Sequence, residues 1–242
     1  MRRSPKAEPT KSGQADVERA RRFSTLLRRW FRANGRDLPW RRTRDPYHIL
    51  VSELMLQQTQ VSRVVPRYGE FLAVFPTLHD VARARPARVT EAWAGLGYYA
   101  RARNLHTLAR AVTDDGRDVT AALPPEATKL RRLPGIGAYT AGAVSSFAYE
   151  RRAALVDTNV ARVLRRAFAP DADLKTARGR KQIWAVAEAI LPRTGRATWT
   201  HNQALMELGA LVCTARVARC GQCPVSRNCL TRRQEEAAAP TR

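Results

Sequence analysis

All four cysteines of the 242-residue chain lie within seventeen residues near its C-terminal end. They are Cys213, Cys220, Cys223 and Cys229, with the spacing C-x6-C-x2-C-x5-C. Clustered cysteines in a chain without an export signal indicate a metal site or a redox pair more often than disulfides. These spacings suit either zinc or an iron–sulfur cluster. The first loop exceeds the about two to four residues usual between zinc ligands, which favours the cluster.

The apolar residues between the two ends of the chain recur at intervals of three and four. This is the period of an amphipathic helix, and no segment shows the alternation of a strand. Pro, Gly, Asp and Thr fall where helices begin or end. Helix starts are predicted at Asp45-Pro46, Pro76-Thr77, Pro86, Pro124-Pro125 and Asp157. The fold class is therefore expected to be all-α.

The charge of the chain indicates a polyanionic partner. It carries 43 Lys and Arg against 21 Asp and Glu, a net charge of +22. Its 44% hydrophobic residues are enough to form a core, which excludes a histone-like or protamine-like chain. Only five of the basic residues are lysines. Arginine, whose fork binds phosphate and whose flat face stacks on bases, therefore carries nearly all the charge.

The sequence predicts no membrane partner. No stretch approaches the ~20 uninterrupted apolar residues of a membrane span, and arginines occupy the first thirty residues where a secretory core would be apolar. A cytoplasmic protein associated with the nucleoid is the expectation. The composition of residues 1–16 predicts a disordered basic tail, and residues 231–242 predict a C-terminal tail.

A short turn, Leu133-Pro134-Gly135-Ile136-Gly137, separates two helical patterns at 126–132 and 138–149. It predicts a helix-hairpin-helix. Gly135 and Gly137 would let the turn expose backbone N–H groups at the start of the second helix, where a DNA phosphate can bind. An ordinary turn between helices uses the same residue types. The net charge of +22 favours DNA contact.

Two acidic residues are candidate catalytic groups. Glu53 lies in a segment that is apolar nearly all round, so it must be buried or at the rim of a pocket. Burial favours the neutral form of a carboxyl group and makes it a candidate general acid; a core Glu paired with an arginine is the alternative. Asp157 suits a helix N-cap. A carboxylate in that position could also face a developing sugar cation.

Two segments rich in polar and aromatic residues are candidate DNA contacts. Gln57, Gln58 and Thr59 follow Glu53 and could read or replace a base, or simply form the solvated end of a helix. Tyr98, Tyr99 and Arg101 follow a Gly-rich turn and suit insertion into a base stack. Core packing is the alternative for the tyrosines, and one of the two is expected to pack inside. Arg216 and Arg219, in the cysteine segment, predict phosphate contacts.

These motifs together resemble the MutY-type adenine DNA glycosylases. The resemblance rests on Ser-Glu-Leu-Met-Leu-Gln-Gln-Thr-Gln, Gly-Leu-Gly-Tyr-Tyr-Ala-Arg-Ala-Arg-Asn, the hairpin, Val-Asp-Thr-Asn-Val and the cysteine spacing, over residues 26–229. It implies a two-lobed helix-hairpin-helix glycosylase fold, a [4Fe-4S] cluster and removal of adenine opposite 8-oxoguanine or guanine. The implied lobes are a cluster lobe of residues 17–44 and 156–230 and a six-helix lobe of residues 45–155.

The resemblance also implies residue roles. Glu53 would protonate the flipped adenine, Asp157 would stabilise the oxocarbenium-like sugar, and Tyr139 and Asn159 would support them. Gln58 with Tyr98 and Tyr99 would wedge the base stack. Tyr139 lies where the endonuclease III branch has its Schiff-base lysine, which implies a monofunctional, hydrolytic enzyme. The expected partner is duplex DNA with a mismatch, bound by a monomer.

Two other functions are compatible with the sequence. Thr158 lies where many MutY-type enzymes have Gly, and short relatives that remove T or U opposite G also carry Tyr at the position of Tyr139. The chain could therefore be a T/G or U/G mismatch glycosylase. A non-catalytic DNA-binding module is the other alternative, but such a module gains nothing from a carboxyl group like Glu53 in an apolar helix. MutY-type enzymes generally continue into a domain that inspects 8-oxoguanine, so the preference for the opposite base is left open.

Overall fold

A computed structural model describes residues 11–113 and 123–238 of the chain. These residues form twelve α-helices and no strand; an isolated bridge joins Cys213 and Ala218. The all-α prediction is confirmed. The helices are α1 Lys11–Asn34, α2 Pro46–Leu56, α3 Val61–Val74, α4 Leu78–Arg83, α5 Pro86–Ala92, α6 Ala100–Thr113, α7 Ala127–Leu130, α8 Ala138–Tyr149, α9 Thr158–Phe168, α10 Ala177–Ala189, α11 Gly195–Leu211 and α12 Leu230–Ala238. Across the described residues, no helix is both long and apolar enough to cross a membrane.

The helix starts follow from local capping chemistry, as predicted. Asp45 accepts hydrogen bonds from the backbone N–H groups of Tyr47 and His48, and Pro46 is the first residue of α2. Thr77 forms a reciprocal capping box with Asp80 at the start of α4. Pro86 begins α5, and the prolines at 124 and 125 precede α7.

The structure corrects the two predicted tails. Helix α1 begins at Lys11, so the last part of the predicted tail of residues 1–16 is helical. Helix α12 extends to Ala238 through most of the predicted tail of residues 231–242, and Arg232 pairs with Glu235 and Glu236 one turn away. Such pairs at helical spacing stabilise a polar helix, which composition alone does not indicate. Residues 1–10 and 239–242 lie outside the described residues.

The chain divides into two compact units. The first contains residues from 1–35, 157–192 and 203–242, and the second contains residues 36–156 and 193–202. The boundaries differ from the predicted lobes because residues 36–44 and 193–202 pack within the second unit. Trp40 packs edge to face on Tyr68, with ring centroids 5.5 Å apart, and Arg44 Cζ lies 4.5 Å from the ring centroid of Trp199.

The second unit is built on α2, which packs against α3, α6 and α8. Eight of the eleven residues of α2 are buried, with Ile49 to Met55 buried without a break. Helix α8 lies so close to the following segment that a Cβ added at Gly142 would be 2.0 Å from the carbonyl oxygen of Ala154. The described part of residues 45–155 holds seven α-helices rather than the predicted six. Pro86 cannot continue α4, so a separate helix begins there.

The core of the first unit forms around α9. This helix is strongly amphipathic and buries its apolar face, and it packs against α10 and α12. Phe23 of α1 contacts Phe168 edge to face at 4.8 Å. Arg19 covers the same ring at 4.9 Å and donates to the carbonyl oxygen of Ala167. The first residues of α9, which carry Asp157 and Asn159, are thus held on a well-packed helix.

Candidate active site

Glu53 is a buried carboxyl group in the middle of α2. Its residue is only 3% exposed. The hydroxyl of Tyr139, in the first turn of α8, donates a hydrogen bond of 2.6 Å to Glu53 Oε2. The packing of α2 on α8 therefore brings together a buried acid and a half-buried phenol that lie 86 residues apart.

Asp157 is the N-cap of α9, as its sequence context predicts. Its Oδ1 accepts a 2.6 Å hydrogen bond from the backbone N–H of Val160. Its Oδ2 accepts from the side-chain amide of Asn159 at 3.3 Å. A Cβ added at Gly209 of α11 would lie 2.8 Å from Asn159 Cβ, so α11 restricts the position of Asn159. The aspartate is consequently fixed by both its backbone and its neighbour.

Asn159 also connects this carboxylate to the cysteine segment. Its side-chain oxygen accepts from Arg162 Nη2 at 2.8 Å. The same guanidinium donates to the carbonyl oxygens of Gly209 at 2.7 Å and Cys213 at 2.9 Å. Burial lowers the pKa of Arg162, and the nearby Cys213 offsets part of this shift. A chain of hydrogen bonds therefore runs from Asp157 to the first cysteine.

The four cysteines surround one cavity of about 120 Å³. None of them forms a disulfide. Burial raises the pKa of Cys223 to about 11, and the three other thiols contribute to the shift. In the part of the chain that the structure describes, no three His, Cys, Asp or Glu side chains converge on a point suited to a single metal ion.

Arginines and a narrow loop shape this cavity. Arg166 of α9 donates to Cys213 Sγ at 3.3 Å and to the carbonyl oxygen of Thr214 at 2.8 Å. Arg216 and Arg219 lie exposed on the loop between the first two cysteines, which the Cys213–Ala218 bridge closes. Arg219 donates to the carbonyl oxygen of Leu211 at 2.8 Å. Both loop arginines remain accessible to a phosphate.

The predicted hairpin lies between α7 and α8. Gly135 has φ of +72°, and a Cβ there would lie 2.8 Å from Asn104 Cβ on α6, so both conformation and packing require glycine. Gly137 is the N-cap of α8 and offers no side chain to the first N–H groups of that helix. Gly135 and Gly137 are both exposed. The helix start has the form that a phosphate-binding hairpin needs.

Two predicted DNA contacts, the Gln57–Thr59 turn and the loop of Tyr98 and Tyr99, are neighbours in the second unit. Thr59 donates to the carbonyl oxygen of Leu96 at 3.4 Å. Gln57 and Thr59 are half-buried, whereas Gln58 is exposed. Tyr98 is 60% exposed and Tyr99 41%, so the expectation that one of them packs in the core is wrong. Gly95 and Gly97 both adopt positive φ, which turns the tyrosines outward.

The prediction that Arg101 contacts DNA is also wrong. Its residue is 6% exposed, and its guanidinium donates to backbone oxygens of α2 and of the loop before α6. Burial lowers the pKa of Arg101. Sequence reasoning likewise missed the inward-facing roles of Arg162 and Arg166. One available signal was the place of Arg101 in the first turn of a helix, where the macrodipole disfavours a cation that has no other partner.

The chain matches the family model described as HhH-GPD superfamily base excision DNA repair protein over residues 51–188. It is 41% identical over 232 residues to the adenine DNA glycosylase of Homo sapiens, covering 91% of this chain and 41% of that relative. It is 47% identical over 200 residues to the adenine DNA glycosylase of Mycolicibacterium smegmatis, covering 81% and 65%. The adenine DNA glycosylase of Mycobacterium tuberculosis is 42% identical over 219 residues, covering 90% and 69%. The chain therefore spans less than two thirds of the first two relatives.

Solved structures share this fold. A thermostable thymine-DNA glycosylase has a TM-score of 0.81 at 29% identity, covering 91% of this chain and 99% of the other. An endonuclease III trapped in a covalent DNA intermediate has a TM-score of 0.73 at 22% identity, covering 91% and 98%. The family match extends over more than half of the chain and includes Glu53, the hairpin and Asp157. The chain belongs to the HhH-GPD superfamily of base excision DNA repair proteins.

Proposed function

We propose that the chain is a monofunctional DNA glycosylase that hydrolyses the N-glycosidic bond of adenine mispaired with guanine or 8-oxoguanine. The observation that carries the proposal is the 2.6 Å hydrogen bond from Tyr139 to the buried Glu53. The names of the curated relatives support adenine as the base. A DNA-binding module would have no use for a carboxyl group held inside an apolar helix.

Glu53 supplies the proton in this reaction. The hydrogen bond from Tyr139 to Oε2 helps to fix the plane of the Glu53 carboxyl group. Transfer of that proton to the extruded adenine converts the base into a neutral leaving group as the bond from its N9 to the sugar C1′ breaks. Glu53 is left as the carboxylate and is reprotonated by water.

Asp157 stabilises the positive charge that develops on the sugar. The capping hydrogen bond from Val160 and the amide of Asn159 hold the carboxylate in place before the reaction, so no reorganisation is needed when charge develops. A water molecule then adds to C1′ and loses a proton, which gives free adenine and an abasic site. Asp157 acts through its negative charge and Asn159 through the orientation it imposes.

The reaction stops at the abasic site because the residue at position 139 is not an amine. A Schiff base with the sugar requires a lysine at that place, and Tyr139 instead bonds Glu53. Lys129, the lysine nearest in sequence, is exposed on α7 and pairs with Glu126 at 3.3 Å. Strand cleavage coupled to base release is therefore not part of the proposed activity.

Duplex DNA with a mismatch is the proposed partner. Support comes from the uncapped start of α8 behind Gly137, the exposed Gln58, Tyr98 and Tyr99, and the exposed Arg216 and Arg219. The start of α8 would bind a phosphate, and Gln58 and the two tyrosines would enter the base stack. The two arginines would bind a second stretch of the DNA backbone. We also propose that the protein acts as a monomer, in the cytoplasm at the nucleoid.

The four cysteines are the proposed ligands of a [4Fe-4S] cluster. Four thiols line one cavity, and the six-residue loop between the first two cysteines is longer than zinc sites usually have, which favours a cluster over one zinc ion. The donor set is all sulfur, as such clusters require. When bound, the group would hold residues 213–229 in a fixed fold, and no step of base removal is assigned to it.

A T/G or U/G mismatch glycosylase is the second candidate. The observation that favours it is the similarity to a thermostable thymine-DNA glycosylase, which the chain covers almost completely. The identity is 29% there, against 41% and 47% for two adenine DNA glycosylases. A pocket that bonds the ring nitrogens of adenine would leave buried polar groups unpaired with thymine, so one pocket does not serve both bases well.

Single-turnover incubation with duplexes that contain A·8-oxoG, A·G, T·G or U·G distinguishes the candidates. We expect release of adenine from both adenine duplexes and none from the others. Glu53→Gln is the matched control, because it removes the acid while keeping the shape of the side chain. Release of T or U opposite G at rates equal to or above adenine release would establish the second candidate instead.

A further inference from the structure

We propose that Arg101 is a positioning residue that holds the Gln57–Thr59 turn and the loop of Tyr98 and Tyr99 in the one arrangement that can enter a duplex. The inference rests on the proposed function and adds a residue whose role is not contact with DNA. Two sets of contacts made by one guanidinium carry it.

The first set closes the C-terminal end of α2. Arg101 Nη1 donates to the carbonyl oxygens of Leu54 at 2.8 Å, Met55 at 2.7 Å and Gln57 at 2.6 Å. The last carbonyl groups of a helix lack partners within the helix and carry its partial negative charge. A buried cation in this place satisfies them and ends α2 directly after the turn that holds Glu53.

The second set closes the loop before α6. Arg101 Nη2 donates to the carbonyl oxygens of Leu96 at 3.1 Å and Gly97 at 2.9 Å, and to Thr59 Oγ1 at 3.1 Å. Its Nε donates to the carbonyl oxygen of Tyr98 at 3.3 Å. One side chain therefore binds oxygens from both segments at once, and Thr59 lies between them.

Each segment adopts a conformation that needs such support. Gln58 has φ of +56° and Tyr98 has φ of +46°, both in the left-handed region that non-glycine residues seldom occupy. Residues in this region persist only where surrounding contacts hold them. Gln58 and Tyr98 are also exposed, as is Tyr99. Two of the three proposed inserting residues therefore occupy strained positions.

Helix α6 extends this support to the hairpin. Asn104 lies one turn after Arg101 on α6, and its Cβ would be 2.8 Å from a Cβ at Gly135. Three segments that face the duplex in the proposed function therefore contact the first turns of one helix. Arg101 has no donor left for a phosphate, because its five N–H groups serve seven acceptors.

The test compares Arg101→Lys with Arg103→Lys in the full chain. Both keep the positive charge, and Arg103 is exposed on the same helix. Lysine cannot reproduce a planar fork that spans two segments. In the free protein we expect amide hydrogen exchange in residues 57–60 and 95–99 to rise about tenfold or more in Arg101→Lys only. Exchange that matches wild type in both segments would overturn the proposal.

Two further measurements separate positioning from DNA contact. Adenine release by Arg101→Lys should fall about 100-fold, as expected for a misplaced substrate. For Arg101→Gln, which removes the charge, the slope of log affinity against log salt on an undamaged duplex should equal that of wild type. A slope lower by about 0.9 in that variant would mean a lost phosphate contact and would refute the positioning role.

Thr59→Val provides a second variant if the arginine substitutions fail to fold. It removes the hydroxyl that accepts from Arg101 and donates to Leu96, at nearly constant volume. Faster exchange in residues 95–99 is expected, and unchanged exchange would contradict the proposal. Exchange is measured without substrate, so it decides the role of Arg101 even if wild-type protein releases no adenine and the proposed function fails.

Discussion

Tyr139 donates a 2.6 Å hydrogen bond to the carboxyl group of Glu53, across the contact between α8 and α2. Both residues lie in the second unit, and each belongs to a helix that is buried along most of its length. Tyr139 directly follows the first residue of α8, close to the hairpin. In the proposed function, the first turn of α8 would thus fix the position of a phosphate bound at the hairpin relative to a base that contacts Glu53.

Glu53→Gln should lower adenine release about 10²–10⁴-fold in single-turnover assays, because the amide cannot supply a proton. Affinity for the mismatched duplex should change little, since a buried carboxyl group makes no phosphate contact. Tyr139→Phe removes only the hydroxyl that holds Glu53 and should give a smaller loss. Turnover by Glu53→Gln close to that of wild type would remove Glu53 from the proposed mechanism.

The variants Asp157→Asn and Asp157→Ala distinguish the helix-capping role of Asp157 from the role of its negative charge. Asparagine caps a helix as well as aspartate does, so Asp157→Asn should keep its stability while adenine release falls about 100-fold or more. Asp157→Ala should lose release and also about 1 kcal/mol of the free energy of unfolding. The checks are single-turnover kinetics and urea denaturation. Full activity in Asp157→Asn would leave the residue with a capping role alone.

The cysteines should bring iron and acid-labile sulfide with the protein, about four of each per chain in anaerobic preparations. Cys223→Ser should reduce both in parallel, and the visible absorbance of the protein should fall with them. Elemental analysis and sulfide determination provide the measurement. Stoichiometric zinc without sulfide in native protein would contradict the cluster.

Tyr139→Lys should gain covalent trapping on an adenine-mismatch duplex in the presence of borohydride. In the proposed function the new amine takes the place of the Schiff-base lysine of the endonuclease III branch and could form an imine with the sugar. Wild-type protein should show no efficient adduct, and its product strands should break only after alkali. Strong trapping by wild type would identify another amine as nucleophile, and Lys129→Ala would test the nearest lysine in sequence.

Arg216→Ala and Arg219→Ala should weaken duplex binding equally for all sequences. Each lost phosphate contact should lower the slope of log affinity against log salt by roughly 0.9. The measurement is a salt titration of binding to undamaged DNA. Arg219 also donates to the carbonyl oxygen of Leu211, so Arg216 gives the cleaner result. An unchanged slope in both variants would place the cysteine loop away from DNA.

The helix boundaries could be predicted because they depend on adjacent residues. Asp45, Thr77 and Asp157 cap helices through hydrogen bonds to residues two or three positions away, and proline restricts only its own turn. The burial of Glu53 was predictable for the same reason, since nearly all of its neighbours on the helix are apolar. Its pairing with Tyr139 was implied only by the family resemblance, because no local pattern shows how α2 and α8 pack.

Arginine was the residue type most often misjudged. An arginine close to two tyrosines in the sequence predicts a nucleic-acid contact when only the composition and the adjacent residues are known. Arg101 is buried because the end of α2 packs against it; Gln57, one of its partners, lies 44 residues earlier in the chain. No local sequence pattern contains that information. Arg162 and Arg166 face inward for an equivalent reason, the approach of the segment around Cys213.

The contact between Gly142 and the carbonyl oxygen of Ala154 has a consequence for inherited variation in proteins of this kind. No side chain fits there, so a substitution would remove activity by unfolding the second unit, although residue 142 takes no part in base removal. Such an allele should be temperature-sensitive and give low protein levels, whereas an allele at Glu53 should give normal amounts of an inert protein. In the proposed function both classes would lose adenine release, and only the first could be restored by a small molecule that stabilises the fold.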